Sequence, residues 1–211
     1  MNAIRCVRHW ACARAGILLA ALSMAVLAGC SLFSPVEDDI QVGVIDQLPT
    51  ELPRREPHAA TLMVLPPAIN PVYDTVRMAY RLRPHQVEYF SRHEWGATPA
   101  QMLQPLLART LENTHYFHAV LSPPYFGPYH YALRTEILEL TQDFTSEPAT
   151  LQLSLRLQLV DGDSNRVIAE RAISLREPLL QQTPYAGIVA ANEATAKSLR
   201  QVAWFVIGEM P

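Results

Sequence analysis

Histidines head the residues whose chemistry could matter. Beyond the first 30 positions the chain carries His58, His85, His93, His115, His118 and His130. Imidazole is the usual metal ligand and proton carrier near neutral pH. Only His115-Tyr116-Phe117-His118 brings two of them close, and a spacing of i and i+3 shares one face only on a helix. No third ligand stands at a familiar metal spacing, so no metal is expected. His93-Glu94 lacks the second His of a zinc-protease helix. Among 8 Gly there is no Gly-x-Ser-x-Gly elbow, no Walker loop and no dinucleotide fingerprint. These residues predict no catalytic group and no cofactor, and hence not an enzyme.

Aromatic residues are better placed, and for binding. Tyr116, Phe117, Tyr125, Phe126, Tyr129 and Tyr131 surround Ser122-Pro123-Pro124 and Gly127-Pro128. A proline-stiffened loop that presents rings can bury much area on a partner protein or a lipid surface at little entropic cost. The same rings could instead fold back over a sheet edge. Tyr80, Tyr89, Phe90 and Trp95 form a second group, and strand alternation would send some inward and some outward. Trp95 suits a core position as well as a contact. The candidate partner-binding residues are therefore Tyr125, Phe126, Tyr129, Tyr80 and Trp95. Arg77, Arg81, Arg83 and Arg92 suit a solvated face or the docking of an acidic partner.

Cys30 has a different chemistry, set by what precedes it. Arg5, Arg8 and Arg14 are followed by an uncharged run from Ala15 to Leu27 and then by Ala28-Gly29-Cys30. A cationic start, a short apolar stretch and small residues before a break describe a secretory signal over residues 1–29. The run covers roughly 20 Å as helix, short of a hydrocarbon core about 30 Å thick. Leu27-Ala28-Gly29-Cys30 resembles a bacterial lipobox, in which the chain is cut before the Cys and acyl chains such as palmitate are attached to it. More than one chain makes a stable anchor. Ser31 stands where lipoproteins kept at the inner membrane typically carry Asp, so the motif implies the outer membrane.

Removing 29 residues from 211 leaves 182 and takes three of the 17 basic residues, so 14 face 20 acids and the net charge becomes −6. That balance argues against nucleic acid as a partner. Cys6 and Cys12 leave with the signal, so no thiol remains for a disulfide and packing must hold the fold.

From residue 30 to 59 the chain reads as a tether, with Pro35, Pro49, Pro53 and Pro57 among an excess of acids. Ile40 to Ile45 interrupts it as a β-prone patch able to dock as an edge strand. Residues 60–211 read as one α+β domain, a largely antiparallel sheet with two helices packed on one face. Thr61 to Leu65 is an apolar run stopped by Pro66-Pro67, and Arg77–Leu82 with Gln86–Ser91 forms a hairpin. Thr98-Pro99-Ala100-Gln101 is a capping box that opens a helix, with Pro105 expected to kink it. Tyr131 to Glu139 reads as a strand. Leu151, Leu153, Leu155, Leu157 and Leu159 alternate with polar residues, and Val167 to Leu175 returns beside them. Thr183-Pro184 opens a last, Ala-rich helix.

Met78-Ala79-Tyr80-Arg81-Leu82-Arg83-Pro84-His85-Gln86-Val87-Glu88-Tyr89-Phe90, then Trp95 and Pro99-Ala100-Gln101-Met102-Leu103, resembles the ABC-type transport auxiliary lipoprotein family. Glu136 to Leu140, Leu157 to Asp161 and Pro184 to Gly187 agree, so the resemblance runs from about Ala60 onward. It implies a non-enzymatic, lipid-anchored subunit at the outer membrane, facing the periplasm. Its implied partners are a mammalian-cell-entry-type periplasmic protein with its ABC permease and ATPase, which move lipid between two membranes. Self-association into a homo-oligomer is left open. The rival reading is a regulatory lipoprotein that activates a cell-wall synthase, for which a tether and an α+β domain would serve equally.

Overall fold

The computed structural model describes residues 39–210. In chain order the elements are β1 (Gln41–Gly43), β2 (His58–Val64), β3 (Ala68–Ile69), β4 (Arg77–Arg81), β5 (Glu88–Trp95), α1 (Pro99–Glu112), β6 (Phe117–Leu121), β7 (Tyr131–Asp143), β8 (Thr150–Asp161), β9 (Val167–Pro178) and α2 (Pro184–Gly208). The fold is α+β: one mixed sheet with long antiparallel hairpins, carrying both helices on one face.

β7 is the axis. Along one edge it pairs antiparallel with β8 from Tyr131↔Asp161 to Asp143↔Thr150, and β9 continues the meander. Its other edge is shared by three successive pieces of chain, all parallel to it. β2 pairs at Tyr131 to Leu133, β3 at Glu136 and Ile137, and β4 at Gln142 and Asp143. Pro66 and Pro67 separate the first two pieces, since proline offers no N–H to a ladder. β6 extends the sheet beyond β2, while β5 and then β1 extend it beyond β4. Parallel pairing was not among the expectations, because a hydrophobic run shows that a strand is buried but not which way its neighbour runs.

Strand alternation makes the core. Leu151, Leu153, Leu155, Leu157 and Leu159 of β8 are at most 3% exposed, and each such burial contributes about 1.5–3 kcal/mol. The opposite face is polar and cross-linked: Arg156 reaches Glu136 at 3.0 Å, Gln158 donates to Glu170 at 2.6 Å, and Ser154 meets Ser174 at 3.1 Å. A small second cluster of Met63, Ala132 and Val160 lies apart from the main core.

Both helices start as their caps dictate. Thr98 accepts from the Gln101 amide at 3.4 Å while Gln101 returns a side-chain oxygen to the Thr98 amide at 3.1 Å. Pro105 sits on the exposed side of α1, and the helix continues to Glu112. In α2 the Thr183 hydroxyl accepts from Ala186 at 3.2 Å. Ala190, Ala191, Ala194 and Ala203 are buried and let the helix lie close to the sheet. Closest of all is Gly187, whose missing Cβ leaves the room taken by the Gln142 side chain.

Within residues 40–59, part of the stretch read as a tether, the chain lies against the domain. β1 pairs parallel with β5 as an edge strand. Ile45 is 7% exposed and enters the core, with Leu48 and Leu52 packed against it. Asn192 of α2 fastens the segment: its Oδ1 accepts from Asp46 N at 2.9 Å and Gln47 N at 3.1 Å, and its Nδ2 donates to Val44 O at 2.9 Å.

Candidate interaction surface

The loop of residues 122–130 joins β6 to β7, and its base is held firmly. The Thr61 amide donates to His130 Nδ1 at 3.1 Å, the His130 amide to Thr61 O at 3.2 Å, and the Gly162 amide to His130 O at 2.7 Å. Tyr129 packs against the Met63, Ala132 and Val160 cluster, which makes it a support and not a free contact. The tip is open. Phe126 is 99% exposed and Tyr125 41%, with the Tyr125 hydroxyl turned back to Pro128 O at 3.4 Å. Tyr116, at the other end of the same aromatic stretch, is buried and stacks 5.6 Å from His58. The sequence group therefore divides into rings that pack and two that project.

In the second aromatic group one ring is buried and three are half-buried. Trp95, expected among the partner contacts, is 5% exposed and belongs to the core, so it has no face to offer. Tyr80 is half-buried, lies 4.4 Å from the Phe90 ring and donates to Glu88 Oε2 at 2.8 Å; that hydrogen bond raises the phenol's pKa. Arg77 covers the Tyr89 ring at 4.6 Å. Arg81 is committed to Glu139 at 2.9 Å and Asp143 at 3.3 Å, which removes it from any acidic docking site. Burial alone would raise the Asp143 carboxyl, but the Thr145 hydroxyl and amide and the Arg81 charge outweigh it and hold the pKa below its usual value. For Tyr73 burial comes first and pushes the phenol up, with the Glu139 charge adding to it.

His115 and His118 do not share a helix face. His115 follows α1 in the left-handed region at φ 53°, and His118 lies in β6. Among the described residues no three His, Cys, Asp or Glu gather as metal ligands would. Cys30 lies outside the described residues.

An apolar surface at the opposite end of the sheet was not singled out from sequence. Leu180 is 89% exposed, Tyr185 69% and Val189 41%. Its signal was faint: one Leu after Pro178-Leu179, just before the Thr183-Pro184 cap.

No curated protein matches the chain in sequence. A crystal structure of a protein from Xanthomonas campestris superposes with a TM-score of 0.71 at 18% identity, covering 81% of this chain and 95% of that one. A second crystal structure, of an uncharacterized protein, gives 0.65 at 12% identity over 80% of this chain and 99% of its own. Both share the fold. The sequence match agrees with the residues that carried the resemblance: over residues 45–203, from the fastened segment well into α2, this chain belongs to the family described as the ABC-type transport auxiliary lipoprotein component.

Proposed function

We propose that the protein is a non-enzymatic lipoprotein of the outer membrane, serving from the periplasmic side as an accessory or docking subunit of an ABC-type intermembrane lipid transport system. Cys30 would carry the acyl anchor. A mammalian-cell-entry-type periplasmic protein, linked to its permease and ATPase, would be the partner, and ATP hydrolysis would occur there.

One observation carries the docking role: Phe126, 99% exposed, stands on a loop whose last residue, His130, is held by three hydrogen bonds. An aromatic ring has few rotatable bonds to fix when covered and gains the burial of its whole surface. The loop lies where β7 begins, beside the β8–β9 turn, whereas the described chain starts near the Asp143 end. An anchor on one side and a projecting contact on the other suit a subunit that holds something away from its membrane.

Photocrosslinking from position 126 in native envelopes, read by mass spectrometry, tests this. The expected adduct is a mammalian-cell-entry protein. An adduct with a cell-wall synthase and no transporter component would overturn the reading in favour of the regulatory one. Cys30→Ser should in addition release the protein from the membrane fraction.

A further inference from the structure

Several exposed apolar side chains lie at the end of the sheet where β7 stops, next to different strands. Pro178 pairs opposite Thr150, itself opposite Asp143, so Leu180 and the start of α2 lie just beyond that end. Leu82, 53% exposed, follows Arg81, which pairs with Asp143. Ile40, 53% exposed, precedes β1, whose Gly43 lies against Ile188 of α2. Between the end of β9 and the first turns of α2 runs a groove of about 430 Å³ lined by Leu180, Tyr185, Ala186 and Val189. Apolar side chains gathered and left exposed along one groove are a feature of interaction surfaces.

The charges around it are mixed. Glu177 is held by Lys197 at 2.6 Å and Glu193 accepts from Gln47 at 3.4 Å, while Arg83 and Glu147 lie exposed in the neighbouring turns. Nothing here is a basic cluster that would seek an acidic partner. The occupant must be recognised by apolar contact.

We propose that this end rests on the phospholipid bilayer that holds Cys30, with Leu180 and Tyr185 entering the headgroup region. The inference builds on the lipoprotein reading and adds the orientation of the domain. Reach selects this end. The described chain begins at Asp39, nine residues after Cys30, and nine residues extend at most about 30 Å. β7 has 13 residues, so the two ends of the sheet are about 40 Å apart. Standing the domain on its Phe126 end would lift Asp39 beyond what the intervening chain can span. The Leu180 end lies within reach. A tyrosine beside aliphatic residues also suits the interface, where the ring is half in lipid and its hydroxyl in water.

The acylated full-length protein, reconstituted into vesicles of phosphatidylethanolamine and phosphatidylglycerol containing brominated lipid, provides the test. Leu180→Cys and Phe126→Cys variants are labelled with an environment-sensitive fluorophore; both sites are exposed, so the fold should tolerate them. Flotation comes first. A chain that does not float with the vesicles refutes the anchor reading and this one with it. Given flotation, the label at 180 should shift to the blue and be quenched at least about twofold, as expected for a group 5–10 Å into the interface, while the label at 126 stays unquenched. High salt should not reverse the effect. Quenching at 126, at both positions or at neither would overturn the proposal and leave the anchor intact.

Discussion

Asp143 receives hydrogen bonds from the Thr145 amide at 2.8 Å, the Thr145 hydroxyl at 2.5 Å and Gln152 Nε2 at 2.6 Å, and faces Arg81 at 3.3 Å. With its folded pKa below the unfolded value of about 3.9, it contributes stability at higher pH that is lost as pH falls from there through the folded pKa. Asp143→Asn should flatten the acid end of the stability–pH profile and cost about 1–2 kcal/mol at pH 7, read by urea titration at several pH values. Its neighbour behaves oppositely. Gln142 is 1% exposed and both side-chain polar atoms lack a partner. Gln142→Met, similar in shape and without the buried amide, should leave stability unchanged or raise it in thermal melts. Gly187→Ala should destabilise by about 1–3 kcal/mol, because its methyl would enter the space of the Gln142 side chain.

Local signals worked where a few adjacent residues decide the outcome. The capping box at Thr98 and the cap at Thr183 stand as their residue types predict, and Thr98→Ala should cost about 1 kcal/mol in denaturant titration. The leucine alternation of β8 and its return strand were legible for the same reason: period two fixes which face is buried. Ile40 to Ile45 could be read as β-prone, but its attachment depends on Asn192, about 150 residues away in the chain, which no local pattern reveals. Asn192→Ala should remove that clamp, costing about 2 kcal/mol and raising hydrogen exchange at residues 44–47 before the rest of the domain opens. The aromatic group had a similar limit. Residue type marks Phe126, Tyr129 and Trp95 as candidate contacts, but only the tertiary fold decides that Trp95 fills the core and Phe126 does not.

At the scale of the molecule the sheet separates two ends, with fastened chain and exposed Leu180 and Leu82 at one and the loop that carries Phe126 at the other. The shared edge of β7 also sets the order in which the protein can fold. Leu62 pairs with Tyr131, 69 residues later, and β3 and β4 likewise await residues of the same strand. A chain that emerges N-terminus first, from ribosome or translocation channel, therefore exposes the apolar run of β2 until Tyr131 to Asp143 has followed, with only β6 able to pair with it. Closing so long a loop is slow relative to hairpin formation, which makes the unfinished half a client for any holding chaperone. A fragment ending at His130 should accordingly remain unfolded and bind a hydrophobic dye, while the full chain unfolds in a single cooperative transition.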